Sequence, residues 1–158
     1  MRNLLIAALF HDFDHTGKSG PDSVNIERAL SALRKHLLAV DWQHVHEIAE
    51  LIRLTEYPYT VPCEKLNPET AEGLSALILR DADLSQALSP AWIQQVPLGL
   101  ATEWGKSPLD VLKKQVSFHQ GLHFNTGWAR GRFTKDMIEE KIAEAQELYD
   151  LLTAGFDE

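Results

Sequence analysis

Residues 4–17 read LLIAALFHDFDHTG and residues 77–88 read LILRDADLSQAL, and these two stretches decide how the chain is interpreted. In the first, an apolar run ends in His11-Asp12-Phe13-Asp14-His15. In the second, an apolar run ends in Asp81-Ala82-Asp83. Carboxylate oxygens suit hard divalent cations and imidazole suits first-row transition metals, so a site using both selects ions such as Mn, Fe, Co, Ni or Zn, sometimes beside Mg. Neighbouring helical residues point about 100° apart. His11 and Asp12 therefore converge on one ion only where their helix ends, and the Gly17 region supplies an end. His15, one turn after His11, faces the same cleft. Asp83 approaches from the helix bearing Leu77, Ile78 and Leu79.

Working outward, apolar residues at three-to-four spacing predict helices throughout. A short apolar helix covers residues 3–13 and stops in the turn-rich stretch Thr16 to Pro21. Helices follow at about Asp22 to Leu38 and Asp41 to Glu56. The segment Tyr57 to Leu66 carries two prolines and reads as a loop. Asn67-Pro68, Ser89-Pro90 and Ser107-Pro108 each look like a cap followed by proline at a helix start. The first of these helices reaches about Ala87, and Pro97 kinks or ends the next. Gly121 to Phe133 reads as an irregular loop, and Thr134 opens a last helix that stops before Gly155. No apolar–polar alternation or Asn-Gly hairpin signal occurs, so no sheet is expected. The expectation is an all-α, single-domain helical bundle over 1–158.

Composition narrows the function. The chain of 158 residues carries a net charge of −8, which argues against nucleic acid as the main partner, because phosphate backbones require clustered Lys and Arg. No stretch has the roughly 18 apolar residues of a membrane span, so no membrane partner is expected. The start MRNLLIAALF reads as a buried helix, because charged HDFDH follows it where a signal peptide has a small-residue cleavage site. Cys63 is the only cysteine, which excludes an intramolecular disulfide and a Cys-rich zinc site and fits a reducing cytoplasm. With no evident histidine partner, Cys63 reads as an inert loop residue. Thr16-Gly17-Lys18-Ser19 is not a phosphate loop, since that motif needs glycine at position 12, which is Asp.

Taken in order, LLIAALFHDFDHTG, VHEIAELIRLTEYP (45–58) and LILRDADLSQAL resemble the HD superfamily of metal-dependent phosphohydrolases, nearest in pattern to the cyclic nucleotide phosphodiesterases. The resemblance covers roughly residues 4 to 90. It implies an HD-type helical domain that hydrolyses a phosphate ester, a nucleotide or other small phosphorylated metabolite, with a metal-activated water. It implies one or two divalent ions held by His11, Asp12 and Asp83, with Asp12 bridging where two are present. His15 matches a histidine of the phosphate pocket, and Asp12 and His15 are the expected catalytic pair. Asp81 is then a surface or supporting residue.

For phosphate contact, Lys18, Arg53 and Arg130 are the leading candidates, followed by Arg80 and Arg132. Lys18 directly follows the HDxxHTG turn. Arg53 serves equally as an ion-pair partner of Glu50 or Glu56. Arg130 lies in NTGWARGRF (125–133), where Trp128 stacks on a base or anchors the core. The family also carries a histidine on an earlier helix, and only ten residues precede His11. The uncapped opening favours a missing amino-terminal segment, and His36, His44, His46, His119 and His123 are candidate substitutes in space, each weighed against a surface or core-edge role. Without that histidine, the alternative is an inactive HD-fold regulatory or binding module with at most one metal. A homo-oligomer is compatible with the composition.

Overall fold

The structure is a computed structural model that describes residues 1–17 and 20–154. Lys18 lies outside the described residues. The fold is all-helical, with eight α-helices and no strand among the described residues. No helix among them is long and apolar enough to cross a membrane. Two compact units form, one of residues 1–16 and 20–80, the other running from Asp81 onward and taking in Gly17.

In the first unit, α1 (Arg2–Phe10), α2 (Asp22–His36), α3 (Val45–Arg53) and most of α4 (Ala71–Ser85) supply the core. Ala7, Leu30, Leu33, Ile48 and Ile52 are fully buried in one cluster. The spacings 30/33 and 48/52 place these residues on single helix faces. The expected helix from Asp41 instead begins as a 3-10 turn, Ala39–His44, before α3. Asp41 is buried at this turn and takes the distant Arg2 guanidinium, with Nε to Oδ1 at 2.6 Å and Nη2 to Oδ2 at 2.9 Å. The proline-rich segment after α3 holds one 3-10 turn, Cys63–Lys65.

In the second unit, α6 (Pro108–Gln120) packs on α8 (Lys135–Ala154). Trp92, Leu112 and Ala145 form one buried cluster, and Leu88, Leu122, Phe124 and Ala129 another. The Ser107-Pro108 signal is realised in full, since the Ser107 hydroxyl accepts from the Asp110 amide. Pro97 does not break its helix. It sits in a π turn, Gln94–Leu98, that runs into α5 (Gly99–Trp104), where a wider turn accommodates a residue with no N–H. The stretch expected to be irregular contains a short helix, α7 (Gly127–Arg132), capped by the Thr126 hydroxyl on the Ala129 amide.

Candidate metal centre

Helix α1 ends at Phe10, and His11 to Asp14 form a turn. Asp14 takes a left-handed backbone with φ 63°, and Gly17 follows with φ 60°. His11 itself keeps helical backbone angles, φ −56° and ψ −37°, and Asp12 follows it in the turn. His11 Nδ1 lies 2.8 Å from the Ala8 carbonyl. A carbonyl only accepts, so Nδ1 carries a proton there and Nε2 is the nitrogen turned outward. Metal-ligating histidines are oriented in this way.

His11 Nε2 then stands 3.3 Å from Asp12 Oδ2. Two acceptors at that distance require a proton or a cation between them. Two ligands about 2.1 Å from one ion in a tetrahedral array lie about 3.4 Å apart, so the spacing fits a shared metal. Asp83, on the last turn of α4, completes a trio: the ligand atoms of His11, Asp12 and Asp83 all lie within 4.8 Å of one another. One nitrogen and two carboxylate oxygens could together hold a divalent ion. Asp12 and Asp83 are exposed and His11 is half-buried, so water and a solute reach the trio.

His15 is held from α2. Asn25 Nδ2 donates to His15 Nε2 at 2.8 Å, while Asn25 Oδ1 accepts from the Thr16 amide and hydroxyl. These bonds fix the histidine ring and the HTG turn together. Asn25 is buried, and its contribution was not foreseen. The only sequence signal is a polar residue set beside Ile26 and Ala29 on an apolar stripe.

The remaining candidates divide by surroundings. Arg53 is paired with Glu50, Nη1 to Oε1 at 2.6 Å. Arg130 Nη1 donates to the Asn125 carbonyl. Trp128 is exposed on α7 and meets Phe133 edge-on, so it does not anchor the core. Arg80 faces inward, buried at 1% exposure, with Nε donating to the Leu54 carbonyl at 2.6 Å. It serves the fold and does not face a substrate. His119 is fully buried between the Gln115 and Ala87 carbonyls, which removes it as a replacement ligand.

Asp81 is a buried support. Its Oδ1 accepts from the Asn125 amide at 2.8 Å and side-chain Nδ2 at 2.9 Å, and its Oδ2 from the Thr126 amide at 2.8 Å. All three donors belong to the turn that starts α7. Successive odd positions on a helix lie about 200° apart, so Asp81 turns inward and Asp83 outward. No protein-family model, curated protein or solved structure matches the chain.

Proposed function

We propose that the protein is an HD-type, metal-dependent hydrolase of a small phosphate ester. The observation that carries this reading is the convergence of His11, Asp12 and Asp83 ligand atoms within 4.8 Å, on the residues that the family resemblance nominates. A divalent cation there would supply a water acidic enough to attack at neutral pH and positive charge for the phosphoryl oxygens. Asp12 and Asp83 would hold the cation by oxygen, and His11 by Nε2. The Ala8 carbonyl keeps the His11 ring in the ligating tautomer. His15, steadied by Asn25, orients the attacking water or contacts a phosphate oxygen. Nucleotides are the favoured substrates through the resemblance alone, as is a cytoplasmic setting through the lone cysteine.

The test is metal analysis of the purified chain together with hydrolysis of a generic phosphodiester in added Mn or Ni. Bound metal and turnover, both lost in His11→Ala and in Asp83→Ala, support the assignment. Turnover that survives both substitutions refutes it. Metal bound through these residues without turnover on any phosphate ester points to the binding-module reading.

A further inference from the structure

The Arg80 guanidinium is buried, and part of its hydrogen-bonding fork is unused. Nε donates to the Leu54 carbonyl at the end of α3. Nη1 lies 3.2 Å from Cys63 Sγ. The plane stacks on the Tyr59 ring, 3.9 Å from its centroid. Nη2 is buried and has no hydrogen-bond partner. No carboxylate pairs with Arg80 among the described residues. A guanidinium keeps its charge, and a buried charge calls for a counter-charge and filled hydrogen bonds. A thiol sulfur is a weak acceptor and provides neither.

We propose that Cys63 is an oxidation site, and that its sulfinate form completes the Arg80 pocket. Cys63 is half-buried, and the oxidant is hydrogen peroxide. In the first step sulfur attacks one peroxide oxygen, an S–O bond forms and the O–O bond breaks. The thiol proton leaves with the other oxygen as water, giving the sulfenic acid. Sulfur is oxidised by two electrons and peroxide is reduced. The chain has no second cysteine to trap this species as a disulfide. A second peroxide adds a second S–O bond with release of a second water, giving the sulfinic acid, which loses its proton to solvent. The two anionic oxygens then accept from Nη1 and Nη2 by charge-assisted hydrogen bonds. Oxidation thereby ties the Cys63–Lys65 turn more firmly to α4 and to the end of α3. This inference is independent of the phosphohydrolase reading and replaces the inert role that the sequence suggests for Cys63.

The experiment treats the full chain with hydrogen peroxide, identifies the product on the Cys63 peptide by mass spectrometry, and follows thermal melting. Peroxide-treated Cys63→Ser corrects for oxidation elsewhere. The sulfinic acid is expected to accumulate and to raise the melting temperature by about 2–4 °C. A second measurement needs no oxidant. Cys63→Asp places a carboxylate beside Arg80, and it is expected to melt above its neutral isostere Cys63→Asn by a similar margin. The proposal is overturned if Cys63 is not carried to the sulfinic acid, if the oxidised chain melts at or below the reduced one, or if Cys63→Asn melts at or above Cys63→Asp.

Discussion

The buried stretch of α4 at Arg80-Asp81 and the exposed turn at His11-Asp12 use the same chemistry to opposite ends. Both are a cationic or imidazole side chain followed by an aspartate. At Asp81 the carboxylate is 4% exposed and takes three N–H donors from one turn. At Asp12 the carboxylate is exposed and faces the His11 imidazole nitrogen Nε2 at 3.3 Å. Satisfied and buried, an aspartate builds structure. Exposed and gathered with other acceptors, it is open to a cation. Asp83, two residues from Asp81, falls in the second class because the helix turns it outward.

The contrast breaks most forcefully at Asp81. Asp81→Ala leaves two main-chain amides at the start of α7 without acceptors, and the expected loss is about 3–5 kcal/mol of unfolding free energy. Urea denaturation measures it. A loss below about 1 kcal/mol would show that the carboxylate is dispensable to the fold. Asp83→Ala tests the other class. It lies at an exposed helix end, so stability changes by no more than about 0.5 kcal/mol. Divalent-ion affinity, read by titration calorimetry, is expected to fall by about 100-fold or more, since loss of even a supporting partner commonly costs 10–100-fold. Equal metal binding by Asp83→Ala and the native chain would put Asp83 outside the centre.

The helical architecture was legible because it depends on local pattern, whereas the grouping of Asp83 with His11 and Asp12 was suggested by the family resemblance. Three-to-four spacing sets a helix face. What was not legible depends on tertiary partners. Nothing in the spacing of Arg80 says that the Leu54 carbonyl awaits it, and a charged residue beside an Asp-Ala-Asp triplet reads as solvent-facing until its neighbours are known. The α7 helix was hidden for a related reason. It has six residues and two glycines, so its own propensity is poor, and it depends on Asp81 and Thr126 to satisfy its first amides. The Ala39–His44 turn escaped notice because the Arg2–Asp41 pairing that accompanies it spans 39 positions.

A smaller effect sharpens the picture of α7. Thr126→Ala removes the side-chain acceptor for the Ala129 amide while leaving the Asp81 bonds in place. The expected cost is about 1 kcal/mol, the usual value of a lost N-cap, or about 2–4 °C in melting temperature for a chain of this size. If Asp81 and Thr126 act as one network, the double variant loses less than the sum of the two single losses. Strict additivity would mean that the carboxylate latch and the cap work separately.

The Arg2–Asp41 pair stands between the two classes, because its aspartate side chain is 4% exposed and its arginine 64%. The hydrogen bond from Arg2 holds the Asp41 carboxyl below its ordinary value of 3.8, against the opposing effect of burial. A depressed carboxyl in the folded state contributes stability that is fully present above the unfolded value. That contribution is lost as pH falls through the folded value. Asp41→Asn removes the titration. Its stability should therefore decline less steeply than that of the native chain below about pH 4, with the two curves parallel between pH 5 and 7. Denaturant melts across that range measure the slopes. Identical acid slopes would mean that the exposed arginine screens the pair as water does a surface ion pair, and that Asp41 belongs with Asp12 rather than with Asp81.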